Sequence, residues 1–438
     1  MEKQKHKRSS FSGKLGFVLA AAGASVGLGN IWRFPYLAAK YGGGIFLLIY
    51  IILALTFGYT MITAETAIGR MTQKSPVGAY RSFGKSKWLT LGGWVIKYLY
   101  EYIIGNGGQL ASDGYFTGFI SSGGSAEICF LIFTALTVAV IFGGVRNGIE
   151  RVSKFMMPVL VILSIMITAY SVTMPGALEG VKYFLIPNFS NFSWMTVVSA
   201  MGQMFYSLSI AMGILITFGS YMKKDVSIEK STTNVEIFDT GIAIMAGLMI
   251  IPAVFAFSGG DPNTLQAGPS LMFITLPKVF SGLSAGTFVG ILFFFLVLCA
   301  ALTSSIALTE SAVSTFQDQL GWGRKKSTVI VTVIMIALGT LSCLGYGPLA
   351  FAQILGMQML DFFDFLTNSV MMPIAAIATC LLVSRVVGVK KIEEEMTAEN
   401  GTFKRKKIFN FMIKYLCPVF AAIILISSVA NAFGIIKM

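Results

Sequence analysis

Runs of apolar residues, each near the ~20 that a helix needs to cross a bilayer, recur along the whole of this 438-residue chain. They lie near 15–38, 44–68, 88–104, 126–143, 155–173, 194–221, 237–257, 287–316, 327–345, 350–384 and 411–433. The runs are continuous, not alternating. That selects helices over barrel strands, the only other structure that satisfies every backbone group inside lipid. Hydrophobic residues make up 55% of the chain and charged residues 12%, about half the charged share of a soluble domain. The sequence therefore reads as an all-α polytopic membrane protein with eleven candidate spans.

The formal net charge is +13, which raises nucleic-acid binding as a reading. The distribution argues against it, because the basic residues form short clusters between apolar runs. With a cytoplasmic N-terminus, most of the 33 lysines and arginines fall on the inner side. Only Arg33, Lys40, Lys182, Lys278 and Lys437 fall outside, and Lys97 lies within a span. The expectation is a multi-pass inner (plasma) membrane protein with its C-terminus outside. The basic tail 1–13 precedes an apolar run followed by many more, unlike a cleaved signal peptide. The longest connections, near 110–125, 174–193, 258–286 and 385–410, are too short for a catalytic or nucleotide-binding domain. Within the last, Glu393–Glu395 beside Lys404–Lys407 reads as a solvated charged loop.

Enzyme motifs fail on context. Gly23-Ala24-Ser25-Val26-Gly27 matches GxSxG, but it sits mid-span and the only histidine, His6, is in the basic tail. Gly78 to Gly84-Lys85-Ser86 has one residue too many for a phosphate loop and follows no strand. No HExxH occurs. The five cysteines, Cys129, Cys299, Cys343, Cys380 and Cys417, have neither metal spacing nor an even count, and read as packing residues.

What remains is polar chemistry inside the membrane. Gly23, Gly27 and Gly29 weaken the first span by roughly 1 kcal/mol each relative to alanine. The sixth span has a matching weak stretch, Gln203 and then Tyr206 to Gly213. Small residues also serve close helix packing. Interruptions at corresponding positions of two five-span blocks favour an inverted repeat with a site near the midplane.

The stretch GASVGLGNIWRFPYLAAKYGGGIFLLIY resembles the first helix and following loop of the neurotransmitter:sodium symporter family. ITAETAIGR, GIERVSKFMMP, MGQMFYSLSIAMG and ALTSSIALTE resemble its second, fifth, sixth and eighth helices. The resemblance implies a fold of the bacterial leucine transporter type. It comprises a first repeat at 14–173, a second at 194–384, the loop 385–410 and an eleventh helix at 411–433. It also implies sodium-coupled amino-acid import, with aromatic or large hydrophobic substrates and tyrosine favoured, and two sodium sites. One site would use Ser25, Asn30, Ser207 and an acid of the seventh span, Asp239, with Asn234 as the alternative. The other would use carbonyls of Gly23, Val26 and Ala300 with the hydroxyls of Thr303 and Ser304. Those hydroxyls could instead bond their own helix. Many relatives have Asn at the acid's position and eukaryotic ones need chloride nearby, so a carboxylate there implies that chloride is not required.

The substrate carboxylate would meet the amides of Leu28 and Gly29, since half-helix N-termini favour anions. Its amine would meet carbonyls near Ala24, Tyr206 and Ser209, and its side chain Tyr206, Met212, Ser304 and Leu308. By the same resemblance Arg33 and Asp364 would form the outer gate, braced by Gln203. Arg8 and Asp318 would form the inner gate, closed by Tyr221 and Phe11. Glu65, an acid within a span, is a functional suspect. It is expected to bond the unwound backbone next to the first-span break, with proton coupling as the rival reading. The third span departs from the family. Only about 17 residues, 88–104, are available, near the short limit for spanning, and the family's mid-helix tyrosine pair has no match in Tyr98, Tyr100 or Tyr102. A non-transporting, binding-only member is therefore a third reading. Nothing in the sequence sets an oligomeric state.

Overall fold

A computed structural model of the chain describes residues 10–76, 84–112, 114–259, 269–283, 285–398 and 401–436, the side chains of 84–93 excepted. The protein is helical along nearly all of this length. Among the described residues, eight continuous helices are long and apolar enough to cross a membrane: Gly44–Thr72, Gly123–Phe142, Val145–Val172, Ile228–Ser258, Gly286–Leu320, Arg324–Leu344, Met359–Val387 and Lys406–Ala432. These are the second, fourth, fifth, seventh, eighth, ninth, tenth and eleventh spans. The first span is a bent pair, Lys14–Ser25 and Gly29–Lys40, with 51° between the halves. The sixth is also in two pieces, Trp194–Ser207 and Ile214–Ser220. The third, Gly84–Ile103, has 20 residues, enough for roughly 30 Å at 1.5 Å per residue.

Some expected bounds move. The tenth span starts at Met359, later than the apolar run at 350, because Gly345, Gly347, Pro348 and the left-handed Gly356 break the helix before it. The fifth starts at Val145, since its basic first turns continue the helix beyond the apolar stretch. The connections are themselves partly helical, at Ala177–Leu185, Leu271–Ser281 and Val389–Thr397.

Two glycines position the broken sixth span. A Cβ on Gly69 would lie 2.0 Å from the Ile216 carbonyl oxygen, and one on Gly219 would lie 2.4 Å from that of Thr66. The second span and the latter half of the sixth thus meet backbone to backbone, which is how membrane helices gain packing without a hydrophobic drive between them. The described part of the third span packs against the eighth span and against the connections after the third span and before the eighth. Trp94, Tyr98 and Tyr102 are buried against Phe116, Phe273 and Phe294, and the Tyr98 hydroxyl donates to the Phe273 carbonyl at 2.9 Å.

Candidate functional site at two broken helices

The first break is a short, self-capped stretch. Lys14–Ser25 ends in extended backbone at Val26. The Gly27 amide donates to the Asn30 side-chain oxygen at 3.2 Å, and the Asn30 amide to the Gly27 carbonyl at 3.1 Å. Gly29 opens the second half. A Cβ there would sit 2.7 Å from the Tyr206 ring, so only glycine lets the sixth span come this close. Gly23 packs similarly, its added Cβ falling 3.2 Å from Thr303.

From this break Asn30 reaches the seventh span. Its Nδ2 donates to Asp239 Oδ1 at 2.8 Å. Ser207 donates to both carboxylate oxygens, at 2.9 and 3.0 Å, and the Tyr50 hydroxyl lies 3.3 Å from Oδ2. Asn30, Tyr50, Ser207 and Asp239 are all buried. A buried charge of this kind needs partners or a counter-ion. Here the partners are neutral, which leaves a concentrated negative charge beside unwound backbone. Asn234, the alternative acid-site residue, is not part of this cluster. Ser25 is buried at the end of the first half-helix and bonds the Ala21 carbonyl.

The sixth break is built differently. Ser209, Ala211 and Gly213 all have left-handed backbone, with φ of 53°, 63° and 75°. Tertiary bonds hold it: Ser209 Oγ donates to the Ala24 carbonyl at 3.1 Å, and the Ala211 amide donates to Glu65 Oε1 at 2.7 Å. Glu65 therefore braces the sixth break, not the first-span break beside which it was expected. Ser304 also donates to the Ala24 carbonyl, at 3.2 Å. That one oxygen joins the first, sixth and eighth spans. Thr303 bonds carbonyls of its own helix, Cys299 at 3.0 Å and Ala300 at 3.1 Å, while Val26, Leu28, Met212 and Leu308 are buried.

The sequence model of the sodium:neurotransmitter symporter family matches residues 8–105 and 114–435. The chain belongs to that family. It is 33% identical over 458 aligned positions to the uncharacterized sodium-dependent transporter YhdH of Bacillus subtilis, covering 98% of this chain and 99% of the relative. An uncharacterized sodium-dependent transporter of Haemophilus influenzae is also 33% identical, over 96% and 98% of the two chains. Among solved structures, MhsT in complex with L-phenylalanine superimposes with a TM-score of 0.85 at 33% identity, covering 96% of this chain and all of that one. The protein is thus a multi-pass sodium-dependent transporter and not an enzyme. Its fold is the inverted-repeat transporter fold with helices 1 and 6 broken.

On one side of the breaks in this symporter, the Arg33 guanidinium lies 5.0 Å from the centre of the Tyr206 ring. Arg33, Asp364, Asn368 and Tyr206 line a cavity of about 110 Å³. Gln203, expected to brace the Arg33 pair, instead donates to the Gly29 carbonyl at 3.0 Å. It adds a second bond to a carbonyl that already accepts from the Phe34 amide. At the start of the first span the Phe11 amide donates to the Tyr221 carbonyl at 3.1 Å, with the two rings edge-on. Asp318 accepts from the Ser75 amide at 2.6 Å. Arg8, and Gly78 of the phosphate-loop-like stretch, lie outside the described residues.

Two groups escaped sequence reasoning. Tyr50 sits in an apolar run with no local signal. Glu310 is fully buried, accepts from Tyr221 at 2.8 Å and pairs with Arg324 at 2.7 Å. The rule that flagged Glu65, an acid within a span, applies equally to Glu310.

Proposed function

We propose that this symporter carries an aromatic or large apolar amino acid, tyrosine favoured, into the cell together with sodium and without chloride. The observation that carries the reading is the buried Asp239 carboxylate, held by Asn30, Ser207 and Tyr50 between the two breaks. A fixed carboxylate offsets the cation's charge permanently, so no mobile anion is needed. Sodium would be held by the Ser25 carbonyl with Asn30, Ser207 and Asp239. A second ion would be held by the carbonyls of Gly23, Val26 and Ala300 with Thr303 and Ser304, whose hydroxyls turn from helix carbonyls to the ion.

The substrate carboxylate would meet the amides of Leu28 and Gly29. Its side chain would lie against Tyr206, Met212, Ser304 and Leu308, where methionine adapts to an aromatic guest. Arg33 with Asp364, and the Phe11–Tyr221 contact with Asp318, would close the outer and inner sides in turn. The N-terminus would be cytoplasmic and the C-terminus outside, a topology that the charge distribution supports.

Uptake of labelled tyrosine, tryptophan and leucine into proteoliposomes tests this, with and without an inward sodium gradient and with chloride replaced by gluconate. Sodium-dependent accumulation that is indifferent to chloride is expected. Uptake driven by a proton gradient alone, or a strict chloride requirement, overturns the reading.

One observation favours a second reading, binding without cycling. The alignment to YhdH runs over 458 positions against 438 residues here, so the relative carries stretches that this chain lacks. The family match is also interrupted just after the third span. Sodium-dependent binding with no uptake would select this reading.

A further inference from the structure

The charged segment between the tenth and eleventh spans is not a free loop. The helix Val389–Thr397 buries Val389, Ile392 and Met396, and residues 401–405 continue across the inner ends of the second and seventh spans. The bonds are specific. Arg70, in the last turn of the second span and 2% exposed, pairs through Nε with the Glu395 carboxylate and donates to the Val226 carbonyl at 2.7 Å. Glu229, in the first turn of the seventh span and 5% exposed, accepts from Thr402 Oγ1 at 2.9 Å. It also accepts from the backbone amides of Lys404 and Arg405, at 2.7 and 3.3 Å. Arg405 donates from one nitrogen to both oxygens of the buried Glu236, at 2.9 and 3.1 Å, and lies 4.4 Å from the centre of the Tyr59 ring of the second span.

Buried carboxylates are costly unless paired and hydrogen-bonded. Here a single segment supplies most of the partners of Glu229 and both ionic bonds of Glu236. Glu236 lies one helical turn before Asp239, so the two project from the same face of the seventh span. Arg70 follows Glu65 on the second span. The segment therefore ties together the two helices that carry the buried acids of the site.

We infer that Arg405, with Glu236 and Glu229, forms a positioning strap that holds the seventh span in register, so that Asp239 meets Asn30 and Ser207 in sodium-binding geometry. This rests on the reading of that cluster as a sodium site. Partners that orient a metal ligand without touching the ion typically change affinity by about 10- to 100-fold.

The test is sodium-dependent thermal stabilisation of the purified full chain, with sodium chloride replacing potassium chloride at constant ionic strength. Bound ion raises the melting temperature by mass action, so no substrate need be known. Arg405→Ala is expected to raise the sodium concentration for half-maximal stabilisation by about tenfold. Arg405→Lys, which keeps the charge but loses the planar guanidinium over the Tyr59 ring, should fall between it and the parent. Glu236→Gln, which keeps the volume, should shift half-saturation in the same direction if Arg405→Ala fails to fold. Lys407→Ala, on the exposed side, should leave it unchanged. Variants that fold and keep the parent's half-saturation overturn the strap alone. A parent stabilised equally by sodium and potassium removes the sodium-site reading, and the strap with it.

Discussion

The two breaks do the same job by opposite means. The first is written in residues that permit it: glycines at 23, 27 and 29, and an asparagine that caps the stretch from three residues away. The sixth forces serine and alanine into left-handed backbone at Ser209 and Ala211. L-residues resist that conformation by roughly 1–2 kcal/mol each. The first break is a local property of its sequence. The sixth is imposed by its neighbours, through Glu65 and the Ala24 carbonyl. A transporter with both has one hinge that is open by composition and one that stays open only while tertiary bonds hold it.

Asp239 is where the two meet, since Asn30 comes from one break and Ser207 from the other. Asp239→Ala should therefore have the largest effect, lowering sodium-driven uptake by about 100-fold, the upper end for disturbing a metal site. Asp239→Asn sharpens the point, because it keeps the shape and removes the charge. Its uptake should be low in gluconate and partly restored by chloride. Equal uptake of parent and Asp239→Asn without chloride would remove the carboxylate from the ion site.

Next in size is the imposed break. Glu65→Ala leaves the Ala211 amide buried and unpaired, a cost of about 1–3 kcal/mol, and should lower both the thermal midpoint and uptake. Glu65→Gln keeps an acceptor but cannot titrate. It should lose about 1 kcal/mol at most, because a neutral acceptor is weaker than a charged one, and should retain sodium-driven uptake. Abolished uptake in a stable Glu65→Gln protein would favour the proton-carrying role instead.

The open break is damaged by filling. Gly29→Ala puts a methyl 2.7 Å from the Tyr206 ring and should cost about 1–3 kcal/mol as overpacking. The loss should show in substrate affinity as well as in folding, since Tyr206 also lines the Arg33 cavity. Tyr206→Leu in the same protein should recover the stability without recovering affinity.

The same contrast explains what the sequence could disclose. The spans were legible because a bilayer demands long apolar helices, and the first break because glycine carries its own signal. Asp239 was within reach as an acid in an apolar run. Tyr50 was not, because a tyrosine at an apolar position looks like packing until its hydroxyl is seen beside Ser207 and Asp239. Gln203 and Glu65 were singled out, but their partners were not legible, because both serve backbone on a different span. The strap was misjudged as a solvated loop for the same reason. Its charges look alike in sequence whether they face water or the buried Glu229 and Glu236.

The smallest predicted effect separates the two kinds of break most directly. At Ala211, φ is 63°, so Ala211→Gly relieves the penalty of a left-handed L-residue, about 1–2 kcal/mol. Against this stands the greater freedom of glycine in the unfolded chain, about 0.4–1 kcal/mol. The amide that bonds Glu65 is kept. The net should be a gain of about 0.5–1 kcal/mol, read as a slightly higher thermal midpoint in sodium. Uptake should stay close to the parent's. Gly213→Ala, two residues on, should do the reverse, because φ is 75° and the added methyl would meet Pro76 at 2.5 Å. If Ala211→Gly instead destabilises the protein, the sixth break is not held against its own preference, and the two hinges are alike after all.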